Sequence, residues 1–230
     1  AGSRYAVMVR KTDGSPAVRV GEGSATGISP DHRLVLGDVP TVPSQQRLYP
    51  LGPGETINLK WPGLEDVGFV SFFPDGQSLV VCGSGSGRPP RCYRSRLEGG
   101  SLEPLTPDSV GFALARPDGQ AVAYRRAGQL WIHPLDGGTD RPGPDTRGLD
   151  VRRWSPDGKA LWALDRQAGD VHIVRIDAAT GKRTPLVDLE WPRDWRPAPL
   201  LGVRLADDPR TYAYTLYIND SELFTIRPQR

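Results

Sequence analysis

The chain has 230 residues, of which 29 are basic and 27 acidic, for a net charge of +2. That balance gives no electrostatic case for nucleic acid or for an anionic membrane surface as a partner. Its apolar runs fall far short of the ~18 residues of a membrane helix, so membrane insertion is not expected, and 27 Gly with 23 Pro exceed what long helices tolerate.

The glycines and prolines fall at intervals, between short segments rich in Val, Leu, Ile, Tyr and Trp at alternating positions, which predicts β-strands and turns. Residues 5–21 match the second half of a four-stranded unit: strands near 5–10 and 17–20 flank the turn Thr12-Asp13-Gly14-Ser15. A complete unit is expected over 24–62, with strands near 25–28, 34–36, 46–50 and 55–59. Further units are expected over 63–106, 108–145 and 146–187. An incomplete one over 200–227 supplies strands near 200–205, 212–216 and 222–226.

Each unit carries one turn between its first and second strands. The turns are Ser29-Pro30-Asp31-His32, Phe73-Pro74-Asp75-Gly76, Arg116-Pro117-Asp118-Gly119 and Ser155-Pro156-Asp157-Gly158, with Ala206-Asp207-Asp208-Pro209 as a degenerate fifth. Proline pre-sets its own φ, aspartate bonds the backbone ahead of it and glycine accepts positive φ. Successive turn aspartates, from Asp31 to Asp208, are 44, 43, 39 and 51 residues apart. A four-stranded unit repeating every ~40 to 45 residues predicts an all-β fold, a β-propeller of about five antiparallel blades or an arc of a larger one. The chain starts and stops at the third strand of a blade. We therefore expect a longer polypeptide, whose missing N-terminal part, or another copy, pairs with the open strand edges.

The Trp154-Ser155-Pro156-Asp157-Gly158-Lys159 turn and its spacing resemble the WD40-like repeats of the TolB type. The phrases at 10–23, 203–205, 212–214 and 221–224 are similar to the C-terminal propeller region of bacterial eukaryotic-like serine/threonine kinases and winged-helix regulators. That resemblance implies a propeller over essentially the whole chain. No kinase residue is present in it.

Catalytic chemistry is not legible. Gly83-Ser84-Gly85-Ser86-Gly87 has glycine where a nucleophile elbow needs serine, and reads as a flexible loop. Gly21 to Gly27 is off the dinucleotide spacing and opens no helix, so no cofactor is expected. His32, His133 and His172 lie in different units without metal-ligand spacing, and no metal is expected. Asp31, Asp75, Asp118 and Asp157 read as structural turn residues, and Trp131, Trp154 and Trp162 as core between blades. Cys82 and Cys92 flank the glycine-rich loop, and two readings stay open: a disulfide across a hairpin, or two reduced thiols.

The loops joining second to third strand, and fourth strand to the next first strand, gather at one mouth of such propellers. On that logic Arg88 and Arg91 share a face with Trp191, Arg193, Trp195 and Arg196, residue types suited to binding. We expect a non-catalytic propeller that presents this mouth to a protein or small ligand, as the C-terminal part of a bacterial signalling kinase. The alternatives are the accessory gating propeller of a serine peptidase, or the propeller of a TolB-like envelope protein. The compartment is left open.

Overall fold

In a computed structural model, the structure describes residues 5–11, 13–167, 170–190 and 200–216. The chain divides into two compact units, residues 1–147 and 148–230. Among the described residues there are strands and turns and no helix. The first unit opens with an antiparallel pair, β1 (Ala6–Val9) and β2 (Val18–Glu22). Three four-stranded antiparallel blades follow, each a meander in chain order. The first blade is β3 (Ser24–Ile28), β4 (Leu34–Val39), β5 (Gln45–Pro50) and β6 (Ile57–Asn58). The second is β7 (Asp66–Phe72), β8 (Ser78–Ser84), β9 (Arg91–Arg96) and β10 (Glu103–Pro104). The third is β11 (Ala113–Ala115), β12 (Ala121–Arg126), β13 (Gln129–Pro134) and β14 (Arg141–Pro142). The second unit holds a fourth blade, β15 (Leu149–Trp154), β16 (Ala160–Gln167), β17 (Asp170–Asp177) and β18 (Arg183–Asp188), and then the pair β19 (Leu200–Leu205) and β20 (Tyr212–Leu216). The fold is an all-β one of propeller blades.

One turn is built alike in all four blades. The backbone closes it from Ser29 to Leu34, Phe73 to Ser78, Arg116 to Ala121 and Ser155 to Ala160, at 2.8 to 2.9 Å. The carboxylates of Asp31, Asp75, Asp118 and Asp157 accept the amide N–H two residues on, from Arg33, Gln77, Gln120 and Lys159. The residue after each aspartate is left-handed, at φ 67°, 70° and 66° for Gly76, Gly119 and Gly158, and at 58° for His32. Asp208 repeats the contact, accepting from the Arg210 amide at 3.0 Å.

The simple apolar and polar alternation expected of the strands fails at the second strand of each blade. Leu79–Gly83, Ala121–Tyr124 and Ala160–Leu164 are buried at every position. In the first unit the reason is that consecutive side chains serve different neighbours. Leu79 and Val81 pack with Leu36 and Leu48 of the first blade, whereas Val80 and Cys82 pack with Val122 and Tyr124 of the third. A sheet covered on both faces reads as a continuous apolar run. In the second unit Trp162, Leu164 and Ile173 form a core with Val203 and Leu205.

Candidate functional site

The first unit contains a cavity of about 640 Å³ between the β4–β5 connection, the start of β5 and the β6–β7 connection. These are second-to-third and fourth-to-first connections, the two loop types expected to form a mouth. Its backbone is pinned on every side. Leu59 donates its N–H to the Gln46 carbonyl at 2.9 Å, Gly100 donates to the Lys60 carbonyl at 3.0 Å and Glu65 donates to the Ser84 carbonyl at 2.8 Å. The Trp61 indole N–H donates to Ser95 Oγ at 2.8 Å, which holds the ring buried beneath the cavity.

The glycine-rich segment borders this wall, and its first glycines have a tighter role than loop flexibility. A Cβ on Gly83 would stand 2.4 Å from the Asp66 carbonyl oxygen, and one on Gly85 2.3 Å from that of Gly63. The missing side chains are what let the two segments approach.

One wall of the cavity is polar. Gln46 is buried and donates its amide to Asp38 Oδ1 at 2.9 Å. Arg47 donates to Gln45 Oε1 at 3.1 Å and faces Glu22 at 3.8 Å, while its Nε is shielded from solvent without an acceptor. Asn58 and Lys60 are exposed on the same lining, and the Lys60 ammonium has no partner among the described residues. Trp61, Leu64 and Val67 supply apolar surface to the lining. No His or Cys lines the cavity, and among the described residues no group of three or more His, Cys, Asp or Glu is placed to hold a metal ion. With Arg47 and Lys60 against the single carboxylate of Glu65 on the lining, a site of this make-up can grip a ligand that has both an apolar part and a polar, preferably acidic, group.

Arg88 and Arg91, singled out from the sequence, are not among the residues that line the cavity. Arg88 is exposed on the β8–β9 loop with no side-chain partner among the described residues. Arg91 is engaged within the fold: its Nε donates to the Thr106 carbonyl at 2.5 Å, and it faces Asp108 at 3.7 Å. Trp191, Arg193, Trp195 and Arg196 lie outside the described residues. Cys82 and Cys92 are directly opposed on β8 and β9, buried in the second blade's core, and joined by a disulfide. Counted from the turn, the same cross-strand position holds the hydrogen-bonded Asp38 and Gln46 in the first blade and Leu164 and Ile173 in the fourth.

The four turn aspartates and two of the three histidines are engaged by neighbouring groups. A hydrogen bond from Ser29 holds Asp31 below the usual carboxylate range, and Ser155 does the same for Asp157. Asp118 is lowered first by Arg116; at Asp75 burial pushes upward, but bonds from Gln77, Ser78 and Arg94 outweigh it. Asp140 accepts from the Tyr124 hydroxyl and lies 2.7 Å from His133 Nδ1, a triad in outline. Burial first, and then Asp140, raise the Tyr124 pKa, so the phenol keeps its proton. His172 lies 2.7 Å from Asp188, which raises its pKa.

No family model matches the chain. A curated relative, Tricorn protease homolog 1 of Streptomyces coelicolor, is 33% identical over 87 residues, which is 36% of this chain and 8% of that protein. Among solved structures, TolB from Acinetobacter baumannii matches with a TM-score of 0.68 at 22% identity, over 94% of this chain and 60% of its own. An oligogalacturonate lyase from Vibrio parahaemolyticus matches with a TM-score of 0.55 at 18% identity, over 84% of this chain and 59% of its own. The chain thus spans less than two thirds of each. The fold is that of a TolB-type β-propeller, a scaffold also found in an enzyme.

Proposed function

We propose that this chain is a non-catalytic recognition propeller, and that the cavity walled by residues 43–47 and 58–67 holds a short peptide segment of a protein partner or a small ligand of like chemistry. The observation that carries this reading is a pinned cavity that sets Gln45, Asn58 and the unpartnered Lys60 ammonium against the apolar Trp61 and Leu64. Amides of this kind read a peptide backbone, the ammonium reads an acidic side chain or carboxylate, and the indole supports an apolar group. Calorimetric titration with tripeptides that pair one acidic with one apolar residue tests it. Binding should weaken tenfold or more in Lys60→Glu, and should be unchanged in Arg88→Ala. Equal affinity in Lys60→Glu and the unaltered chain would refute it.

The polypeptide around this propeller is a second proposal. The Tricorn-type relative favours a serine peptidase whose access the propeller gates; the phrases at 10–23, 203–205, 212–214 and 221–224 favour a signalling kinase. A buried disulfide forms in an oxidising compartment, and the Cys82–Cys92 bond therefore supports a location outside the reducing cytosol. Peptide mapping of the protein isolated from its source distinguishes these contexts by the domain that shares the chain.

A further inference from the structure

The cavity lining carries two opposite charges that no group among the described residues neutralises, the Lys60 ammonium and the Glu65 carboxylate, both exposed. Arg47, the third charged side chain of the lining, is already faced by Glu22 at 3.8 Å. The backbone fixes Lys60 and Glu65 at the two ends of one turn. The Leu64 N–H donates to the Trp61 carbonyl at 3.1 Å and closes that turn through Pro62 and Gly63, the glycine at φ 91°. Ahead of the turn the Lys60 carbonyl accepts from Gly100 at 3.0 Å, and after it Glu65 donates its N–H to the Ser84 carbonyl at 2.8 Å. The two charges are thus anchored separately, and they do not pair with each other.

A ligand of one sign answers only half of this lining. A purely acidic one is attracted by Lys60 and opposed by Glu65, whereas one that carries both an ammonium and a carboxylate gains at each. Trp61 and Leu64 lie between the two charged residues in sequence and supply apolar surface to the same lining, so the ligand has an apolar part as well as its two charges. Asn58 and Gln45 add amides that can donate to and accept from a peptide bond. The volume of about 640 Å³ is that of a site enclosing a drug-sized molecule, the size of a few peptide residues.

We propose that the cavity takes a free, zwitterionic peptide of about two to four residues, with its terminal carboxylate on Lys60 and its terminal ammonium on Glu65. Each contact is a charge-assisted hydrogen bond, and the pair fixes the direction in which the peptide lies. The inference rests on the reading of the cavity as a peptide site. Within that reading it selects a short free peptide over a segment of an intact protein, whose own termini lie elsewhere.

Calorimetric titration of the whole chain with alanyl-leucyl-alanine, whose only charges are its termini, and with its N-acetylated and C-amidated forms tests the proposal. The free peptide should bind most tightly, and each cap should weaken binding about fivefold or more. In Glu65→Gln the acetyl cap should lose its effect and the amide cap keep it; Lys60→Gln should show the reverse. Both side chains are exposed, so the variants keep the fold. Affinities of the three forms within about twofold of one another, caps that act alike in both variants, or binding of acidic tripeptides alone would overturn the zwitterion and leave the cavity reading standing. Failure of these peptides and of the acidic tripeptides alike to bind would overturn the cavity reading itself.

Discussion

His32 occupies the turn position that glycine holds in the next three blades, at φ 58° against 66° to 70°. A side chain in that left-handed region is disfavoured by roughly 1–2 kcal/mol relative to glycine, and the Asp31, Ser29 and Arg33 contacts hold it there. Glycine at position 32 should therefore stabilise the first unit by about 0.5 to 1 kcal/mol, after its greater unfolded-state entropy is discounted; chemical denaturation of the His32→Gly variant measures this. A second residue-scale outcome concerns pH. Asp188 raises the His172 pKa above its ordinary 6.5. A raised histidine stabilises below its unfolded pKa, and that contribution disappears as pH rises through the folded value. NMR titration should place His172 above 6.5 and return it toward 6.5 in Asp188→Asn, and the two proteins should differ in stability at acid pH only. The turn aspartates were legible because each contact spans two residues. The histidine pairs were not, because Asp140 and Asp188 lie 7 and 16 residues from their partners, across a hairpin whose register only the folded sheet defines.

At the scale of the elements, the second strand and its cross-strand tie determine how a blade holds together. Strand β8 is buried on both faces, so its pairing with β9 has to be secured from within the sheet. The first blade does this with the Asp38 and Gln46 side chains, and the second with Cys82 and Cys92. Closing this short loop restricts the unfolded chain, and the chain-entropy relation gives about 3 kcal/mol. We expect the double variant Cys82→Ser, Cys92→Ser to lose about that much in chemical denaturation, and a reductant to lower the stability of the native protein but not of the variant. Equal stability of the two would show that the bond carries no load. Blade repeat and strand order were readable from the spacing of Pro-Asp turns. The pairing of the cysteines stayed open because a one-residue slip in register would have put them on opposite faces.

For the molecule as a whole, the sequence supported the propeller and the two classes of loop that border the cavity. Of the residues it singled out, Arg88 and Arg91 do not line the cavity, and Trp191, Arg193, Trp195 and Arg196 lie outside the described residues. The Gly83–Gly87 stretch and Arg88 stood out by composition, whereas the cavity arises where 43–47 meets 58–67, segments of ordinary composition brought together by the β5–β6 pairing and the Leu59 to Gln46 bond. The measurement that most directly tests the recognition role is amide hydrogen exchange of the whole chain with and without an acidic, apolar-bearing peptide. Protection is predicted at residues 43–47 and 58–65, where ligand contact would damp local opening. Protection absent there and confined to 85–91 would contradict it, and would return the binding surface to the glycine-rich loop.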